Sequence, residues 1–229
     1  PAGIIYSEER RRALLEVLSG TDIILIEDDA YGDLYFNAND AALTRPLKAY
    51  KGYDVDIIYT GSFSKILGPG FRLGYMLSSQ EIFEKAETIK QALDACTSNF
   101  MQILANEFIE RGYLEPYLLF LRKEYSERYE ILHASLKKHL PEGVIWNVPK
   151  GGFYVWLKLP EPIKATALFK DCLSQGVVFV TGRTFDPESI KDNYLRLSFS
   201  NMPKDSIEKG VSLLANVIQE HLQIKSFQV

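Results

Sequence analysis

The chain has 229 residues, of which 46% are hydrophobic and 24% charged, and its formal net charge is −4. A chain of this length can bury a substantial core in one large domain or two modest ones. The acidic balance argues against a broad nucleic-acid-binding face, which needs a surplus of Lys and Arg. The longest aliphatic run, residues 23–26, is far too short to cross a bilayer. We therefore expect neither a membrane nor a nucleic acid as a partner of this segment.

The cysteine content indicates the cellular compartment, and the first residues indicate whether the chain is a fragment. Cys96 and Cys172 are too few for a disulfide framework, which predicts a reduced protein of the cytoplasm. Residues 1–3, Pro-Ala-Gly, have the composition of a turn with no element before it, although a turn normally joins two elements. We therefore expect the chain to be a C-terminal fragment of a longer protein.

The first part of the chain alternates between helix and strand patterns. Ser7 followed by acidic residues predicts the start of a helix, and Gly20 its end. Apolar runs at residues 22–26, 57–59 and 73–77 predict buried strands. This order indicates an α/β fold with a mostly parallel sheet, in which ligands bind beyond the carboxyl ends of the strands. Four candidate residues fall at such ends: Asp28, Tyr31, Ser62 and Lys65.

From about residue 80 the pattern changes to long amphipathic helices and short strands. Helices are predicted over residues 79–95, 100–110, 115–139, 165–175 and 204–221. Strands are predicted over residues 144–148, 152–159, 177–180 and 194–199. The order indicates an α+β unit that is distinct from the preceding one. We place residues 1–90 in the C-terminal part of a large domain, whose N-terminal part is missing, and residues 91–229 in a small α+β domain.

The loop between the second and third predicted strands gathers groups that hold an anion. Ser62 and Ser64 offer hydroxyls, Arg72 offers a planar guanidinium, and several glycines let the backbone come close. Lys65 lies among them, which is the arrangement that a carbonyl cofactor bound as a Schiff base requires. A P-loop is excluded because Lys65 lacks the preceding glycine pattern.

Residues 62–65 also match the Ser-x-x-Lys signature of penicillin-binding acyl-enzymes. In those enzymes the nucleophile begins a long buried helix. Gly68 and Pro69 would stop such a helix within one turn, and this argues against the acyl-enzyme interpretation.

A pyridine-type cofactor sets four requirements that the chain can meet. It needs a carboxylate at its ring nitrogen, a donor to its phenolic oxygen, a lysine for its aldehyde, and hydroxyls with an arginine for its phosphate. The candidates, in that order, are Asp28; Tyr31; Lys65; and Ser62, Ser64 and Arg72. Arg196 alternates with Leu195 and Leu197 in a predicted strand, so it faces either solvent or a cleft that holds a substrate carboxylate.

Several segments together resemble the fold-type I pyridoxal-phosphate-dependent aminotransferases of class I/II. They are residues 28–31 (Asp-Asp-Ala-Tyr), residues 62–65 (Ser-Phe-Ser-Lys) with Arg72, and residues 194–198 (Tyr-Leu-Arg-Leu-Ser). Residues 1–3 resemble the end of the family's Asn-Pro-x-Gly turn, and residues 149–156 resemble its glycine-rich turn and strand. Within the family, the sequences of these segments are most similar to two groups. One is the aminoadipate/kynurenine-type aminotransferases, and the other is the aminotransferase-like domain of GntR/MocR-type transcription regulators.

The resemblance implies a transferase of amino acid metabolism that moves an amino group between an amino acid and a 2-oxo acid, and that forms a homodimer. It implies that Lys65 forms the internal aldimine and shuttles a proton. The other implied roles are Asp28 at the pyridinium, Tyr31 at O3′, Ser62, Ser64 and Arg72 at the phosphate, and Arg196 at the α-carboxylate. No metal is implied.

Two further expectations come with the resemblance. The upstream segment of the family supplies the ring that stacks on the cofactor, so we expect weak cofactor binding and no turnover from the chain without it. The alternative function is a pyridoxal-phosphate-binding effector domain of a GntR/MocR-type regulator, with little or no turnover. Any contact of such a regulator with DNA would come from a segment upstream of this chain.

Overall fold

In the computed structural model, which describes residues 2–94 and 96–226, the chain forms two compact units. Ile5–Arg122 form the first, here called the Lys65 unit, and residues 2–4 and 123–226 form the second, the Arg196 unit. The units divide between Arg122 and Lys123. The assignment of residues 1–90 and 91–229 to a large and a small family domain stays a prediction. Pro1 of the predicted turn lies outside the described residues.

The Lys65 unit contains a three-stranded sheet with helices before and after it. Its strands are β1 (Leu25–Asp29), β2 (Ile57–Ser62) and β3 (Gly74–Leu77), in the order β1-β2-β3. Its helices are α1 (Glu8–Leu18), α2 (Gln80–Leu93), α3 (Asn99–Glu110) and the first turns of α4 (Leu114–His139). β1 and β2 are parallel, as the predicted βα order requires, and β3 is antiparallel to β2 at the edge.

Helix α1 packs on the sheet through Leu15, which forms a buried cluster with Leu47 and Ile57. Ser7 caps its N-terminus by accepting a hydrogen bond from the Arg10 amide at 3.3 Å, as predicted. Gly20 follows the helix with φ +73°, a conformation that glycine adopts at little cost. The cap and the apolar stripe therefore fix how the chain enters β1.

The predicted strand at residues 22–26 is wrong in its position and in its burial. Strand β1 begins at Leu25, because the Thr21 hydroxyl donates to the Leu18 carbonyl at 2.7 Å and accepts from the Ile23 amide at 3.4 Å. These bonds extend the end of the helix into the predicted strand. Ile26 is 66% exposed, because the described residues leave its face of β1 uncovered.

The Arg196 unit has a four-stranded antiparallel sheet of order β4-β5-β7-β6. The strands are β4 (Ile145–Trp146), β5 (Tyr154–Lys158), β6 (Val180–Thr181) and β7 (Tyr194–Ser198). The helices are the rest of α4, α5 (Ala165–Ser174) and α6 (Lys204–Ser226). The helix predictions hold to within a few residues, except that α6 runs five residues beyond the predicted residue 221.

The strands of this unit are shorter than predicted, most clearly β4 and β6. The prediction of a strand over residues 177–180 meets β6 only at Val180. Val177 instead donates its amide to the Cys172 carbonyl at 2.9 Å and so helps to end α5, together with Gly176 at φ +81°. The Val144–Val148 strand reduces to Ile145–Trp146.

Candidate active site

Parallel pairing brings the carboxyl ends of β1 and β2 side by side in the Lys65 unit. Asp28 lies opposite Thr60, and the Thr60 hydroxyl is 3.5 Å from Asp28 Oδ1. Asp29 lies opposite Gly61. The predicted carboxylate is therefore next to the strand from which the hydroxyl-rich loop continues.

Asp29 fixes the end of β1, a role that the sequence analysis did not assign. Its Oδ1 accepts from the Gly32 amide at 2.7 Å, and its Oδ2 accepts from the Tyr59 hydroxyl at 3.0 Å. A Cβ on Gly32 would lie 2.5 Å from this carboxylate, so only glycine allows so close an approach. An aspartate three residues before a glycine is a signal for such a turn. Burial, together with the neighbouring Asp29 charge and Tyr75, raises the pKa of Tyr59.

Lys65 and Tyr31 lie together at this edge of the sheet. The Lys65 ammonium is 5.7 Å from the centre of the Tyr31 ring, within the range of a cation–π contact. Lys65 ends a single 3₁₀ turn, Phe63–Lys65, that follows directly on β2. Ser62 caps this turn, because its hydroxyl accepts from the Ser64 amide at 3.2 Å. The structure therefore brings together the predicted lysine, tyrosine and serines.

The loop turns back after this one turn instead of continuing as a helix. The amides of Ile66 and Leu67 donate to the Phe63 carbonyl at 3.2 and 2.8 Å, and Gly68 then has φ +124°. No long helix follows Ser62, which the acyl-enzyme interpretation would require.

Arg72 returns to the same edge through the antiparallel pairing of β2 and β3. It comes two residues before Gly74, which lies opposite Ser62. Its backbone has φ 50° and ψ 34°, the left-handed region that non-glycine residues seldom adopt. Behind the loop, the Tyr75 ring covers Gly61, where a Cβ would lie 2.2 Å from Tyr75 Cζ. The loop is thus held at both ends by β2 and β3.

Arg196 lies at the centre of β7 in the Arg196 unit. The predicted alternation is confirmed, since Leu195 and Leu197 are buried and Arg196 points to the opposite face. Its guanidinium carbon is 3.9 Å from the centre of the Tyr154 ring and 4.7 Å from that of Phe185. Its Nε is buried and has no hydrogen-bond partner among the described residues. Arg196 is therefore half-buried against aromatic rings and not extended into solvent.

The described residues offer neither a cluster of metal ligands nor a membrane-spanning helix. Within residues 2–94 and 96–226, no three or more His, Cys, Asp or Glu side chains are placed so that they could hold a metal ion. Of the helices in these ranges, none has the length and hydropathy needed to cross a membrane.

Lys65 at the carboxyl end of β2 thus lies with an aspartate, a tyrosine and a serine-rich turn, as the sequence resemblance leads one to expect. The chain belongs to the aminotransferase class I and II family, whose model matches residues 1–214. The resemblance described from the sequence and the α/β fold class are thereby confirmed.

Three similar proteins illustrate the family. Aromatic-amino-acid aminotransferase 1 of Thermococcus litoralis is 36% identical over 97% of this chain and 52% of its own length. An uncharacterized HTH-type transcriptional regulator of Bacillus subtilis, YdfD, is 33% identical over 96% of this chain and 44% of its own. The crystal structure of Pyrococcus horikoshii kynurenine aminotransferase, in complex with PMP, superimposes with a TM-score of 0.89 at 37% identity. The superposition covers 97% of this chain and 54% of the kynurenine aminotransferase chain.

Proposed function

We propose that the protein carrying this chain is a pyridoxal-phosphate-dependent aminotransferase that acts on an amino acid and a 2-oxo acid. The observation that carries the proposal is the placement of Lys65 beside Tyr31, on the turn that Ser62 caps. The chain spans about half the length of the relatives it matches, 52% for the Thermococcus enzyme, so the activity is proposed for the whole protein.

The residues present fit the proposed cofactor. The Ser62 hydroxyl uses a lone pair to accept from the Ser64 amide, so its proton stays available for a phosphate oxygen, which only accepts. Arg72 adds the planar donor fork that suits phosphate. Asp28 is exposed at the strand end, where it can approach a ring nitrogen. When bound, pyridoxal phosphate supplies an electron sink that stabilises negative charge at the substrate α-carbon.

Each residue of this chain then has one task. Asp28 would keep a proton on the ring nitrogen, and the Tyr31 hydroxyl would donate to the phenolic oxygen. The Lys65 amine would hold the aldehyde carbon and, once substrate has replaced it, move the proton at the substrate α-carbon. The half-buried Arg196 would bind the substrate α-carboxylate through its planar guanidinium.

Three further features belong to the same proposal. Two of the relatives are an aromatic-amino-acid and a kynurenine aminotransferase, which supports an aromatic amino acid as one donor substrate. We propose a homodimer because the resemblance implies one. We propose a cytoplasmic location because the chain has only two cysteines, both of them free.

The second candidate function is the effector domain of a transcription regulator. It is favoured by the 33% identity to YdfD, a regulator of which this chain covers 44%. In this case the same residues would hold the cofactor and an amino compound without rapid turnover, and binding would signal to a DNA-binding domain.

The proposal is tested with the full-length protein and added pyridoxal phosphate. We expect a visible absorption band that borohydride removes, leaving the cofactor mass on the peptide that contains Lys65. Lys65→Ala should lose the band and the label. Lys85→Ala, which changes an exposed lysine paired with Glu81 on α2, is the matched control and should keep both. A reducible band that persists in Lys65→Ala would refute the role of Lys65.

Amino transfer separates the two candidate functions. The full-length protein is incubated with an aromatic amino acid and 2-oxoglutarate, and glutamate formation is followed. Sustained turnover supports the enzyme, whereas a normal band with no more than a single turnover supports the regulator.

A further inference from the structure

Arg196 is a cation whose donors are not used by the part of the chain that the structure describes. Its guanidinium donates no hydrogen bond to these residues and forms no ion pair with any of their carboxylates. A half-buried arginine normally pairs with a carboxylate or with backbone carbonyls, because unsatisfied buried donors are costly. Here the contacts of the guanidinium are with the faces of two aromatic rings instead.

The sheet register and one glycine bring the two rings to Arg196. Arg196 lies opposite Trp156 on β5, which makes Tyr154 its diagonal neighbour on the same face. Phe185 arrives from the turn Gly182–Phe185 that follows β6. This turn lies against β7 because Gly182 has no side chain: a Cβ there would be 2.4 Å from Tyr194 Cβ. The Trp156 ring packs nearly perpendicular to the Phe185 ring, with the two ring centres 5.5 Å apart.

We propose that Tyr154 and Phe185 are positioning residues. They hold the guanidinium plane of Arg196 in place and leave its N–H donors available for a carboxylate ligand. The proposal rests on the role of Arg196 given under Proposed function. Aromatic faces attract a guanidinium without accepting its N–H bonds in the guanidinium plane. They therefore fix the plane of the group and leave its donors for the ligand. A protein carboxylate in their place would compete with the ligand for those donors.

The burial of Nε determines which edge of the guanidinium is offered. Because Nε is enclosed, a carboxylate reaches Arg196 through the two terminal nitrogens, Nη1 and Nη2. Two parallel N–H···O bonds from these atoms match the geometry of a carboxylate. The ligand class that this arrangement selects is a planar monoanion such as a carboxylate, in preference to a neutral amide of the same shape.

The test compares two probes in the full-length protein loaded with pyridoxal phosphate. 3-Phenylpropionate has the carboxylate but no amino group, so it cannot react, and 3-phenylpropanamide is its neutral counterpart. Dissociation constants are measured by calorimetry. The variants Tyr154→Leu and Phe185→Leu remove one ring each, and Tyr154→Phe and Phe185→Tyr keep a ring. Phe169→Leu is the control, since this ring packs on Phe179 at 5.4 Å in the same unit.

We expect Arg196→Leu to weaken the carboxylate about a hundred-fold, as expected for two charge-assisted hydrogen bonds. Each ring-to-leucine variant should weaken the carboxylate about five-fold, equivalent to roughly 1 kcal/mol, and leave the amide unchanged. The ring-retaining variants and the control should bind as the wild type does.

Unchanged carboxylate binding in both leucine variants, or equal weakening of both probes, would overturn the positioning role. An Arg196→Leu variant that still prefers the carboxylate would overturn it as well. A protein that binds no cofactor, as judged by the visible band, but still discriminates between the probes through Arg196 would refute the proposed cofactor chemistry alone. The two failures are therefore distinguishable.

Discussion

The hydroxyl of Tyr59 donates a hydrogen bond to Asp29 Oδ2 at 3.0 Å and so ties the middle of β2 to the last residue of β1. The other oxygen of the same carboxylate holds the Gly32 amide at 2.7 Å. Because burial and the Asp29 charge raise the pKa of Tyr59, the phenol stays a donor throughout the neutral pH range. The pair fixes the turn that carries Tyr31, and it does so without either residue being among the predicted cofactor ligands.

Tyr59→Phe should therefore lower the free energy of unfolding by about 1–3 kcal/mol, the usual cost of removing a partner from a charged group. The reason is that Asp29 Oδ2 would lose its donor in a half-buried place. Urea unfolding followed by circular dichroism measures the change. Tyr117→Phe is the matched control, because the Tyr117 hydroxyl has no hydrogen-bond partner among the described residues. Equal losses in the two variants would contradict the assigned bond.

Gly182→Ala should destabilise the Arg196 unit and weaken carboxylate binding together. The new Cβ would lie 2.4 Å from Tyr194 Cβ and 3.0 Å from the Tyr194 carbonyl oxygen, so the turn has to move away from β7. Overpacking of this kind costs about 1–3 kcal/mol, and the shift would carry Phe185 away from Arg196. Unfolding by urea and the affinity for 3-phenylpropionate are the two measurements.

The control for this change is Gly210→Ala in α6, where nothing lies within 4 Å of the added atom. An alanine inside a helix is favoured over glycine by up to about 1 kcal/mol. The control should thus be at least as stable as the wild type and bind the carboxylate normally. If both alanine variants behaved alike, the close approach at Gly182 would be refuted.

The stability of the protein should fall in alkaline solution through Cys172. This thiol is fully buried, and burial, followed by the nearby Asp171 charge, raises its pKa from 9.0 to about 11. Below pH 9 the thiol is protonated in both the folded and the unfolded chain. As the pH rises toward 11, the unfolded chain loses the proton first, so the free energy of unfolding falls by about 2 kcal/mol.

The measurement is urea unfolding at several pH values between 8 and 11, in wild type and in Cys172→Ala. The difference in unfolding free energy between the two proteins separates the effect of the thiol from that of Tyr59, whose pKa is also raised. A difference that stays constant with pH would show that Cys172 does not contribute.

Sequence patterns predicted well those features that depend on neighbours in the chain. The burial of Leu195 and Leu197, with Arg196 on the other face, follows from the two-residue period of a strand. They did not predict where side-chain and backbone groups at a helix end form hydrogen bonds that delay the start of the next strand. The hydroxyl of Thr21 and the amide of Val177 are used to end helices, so two apolar runs that read as strands begin later than their composition suggests.

In the candidate site, too, features set by the chain order were predicted, and contacts set by the tertiary structure were not. Asp28, Ser62 and Lys65 were expected together, because a parallel sheet collects residues that follow its strands. The bond of Asp29 to Tyr59 and the approach of Phe185 to Arg196 were not expected. The first depends on the pairing of Asp29 with Gly61, and the second on space left by Gly182, and neither is a property of nearby sequence.

Arg72→Gly should have opposite effects on folding and on binding. The left-handed backbone at φ 50° costs a non-glycine residue about 1 kcal/mol or more, which glycine avoids. The free energy of unfolding should therefore stay the same or rise. The affinity for pyridoxal phosphate should fall at least ten-fold, because a charge-assisted donor to its phosphate would be lost. Titration of the visible band measures the affinity, and unchanged affinity would exclude Arg72 from the phosphate site.

The left-handed conformation at Arg72 also bears on how related sequences diverge. Selection for a stable fold alone would favour glycine here, while selection for holding an anion favours the arginine already present. A relative that has changed this arginine to glycine is thus expected to be one that no longer depends on the cofactor, and the position becomes a marker for lineages that kept the fold after losing the chemistry.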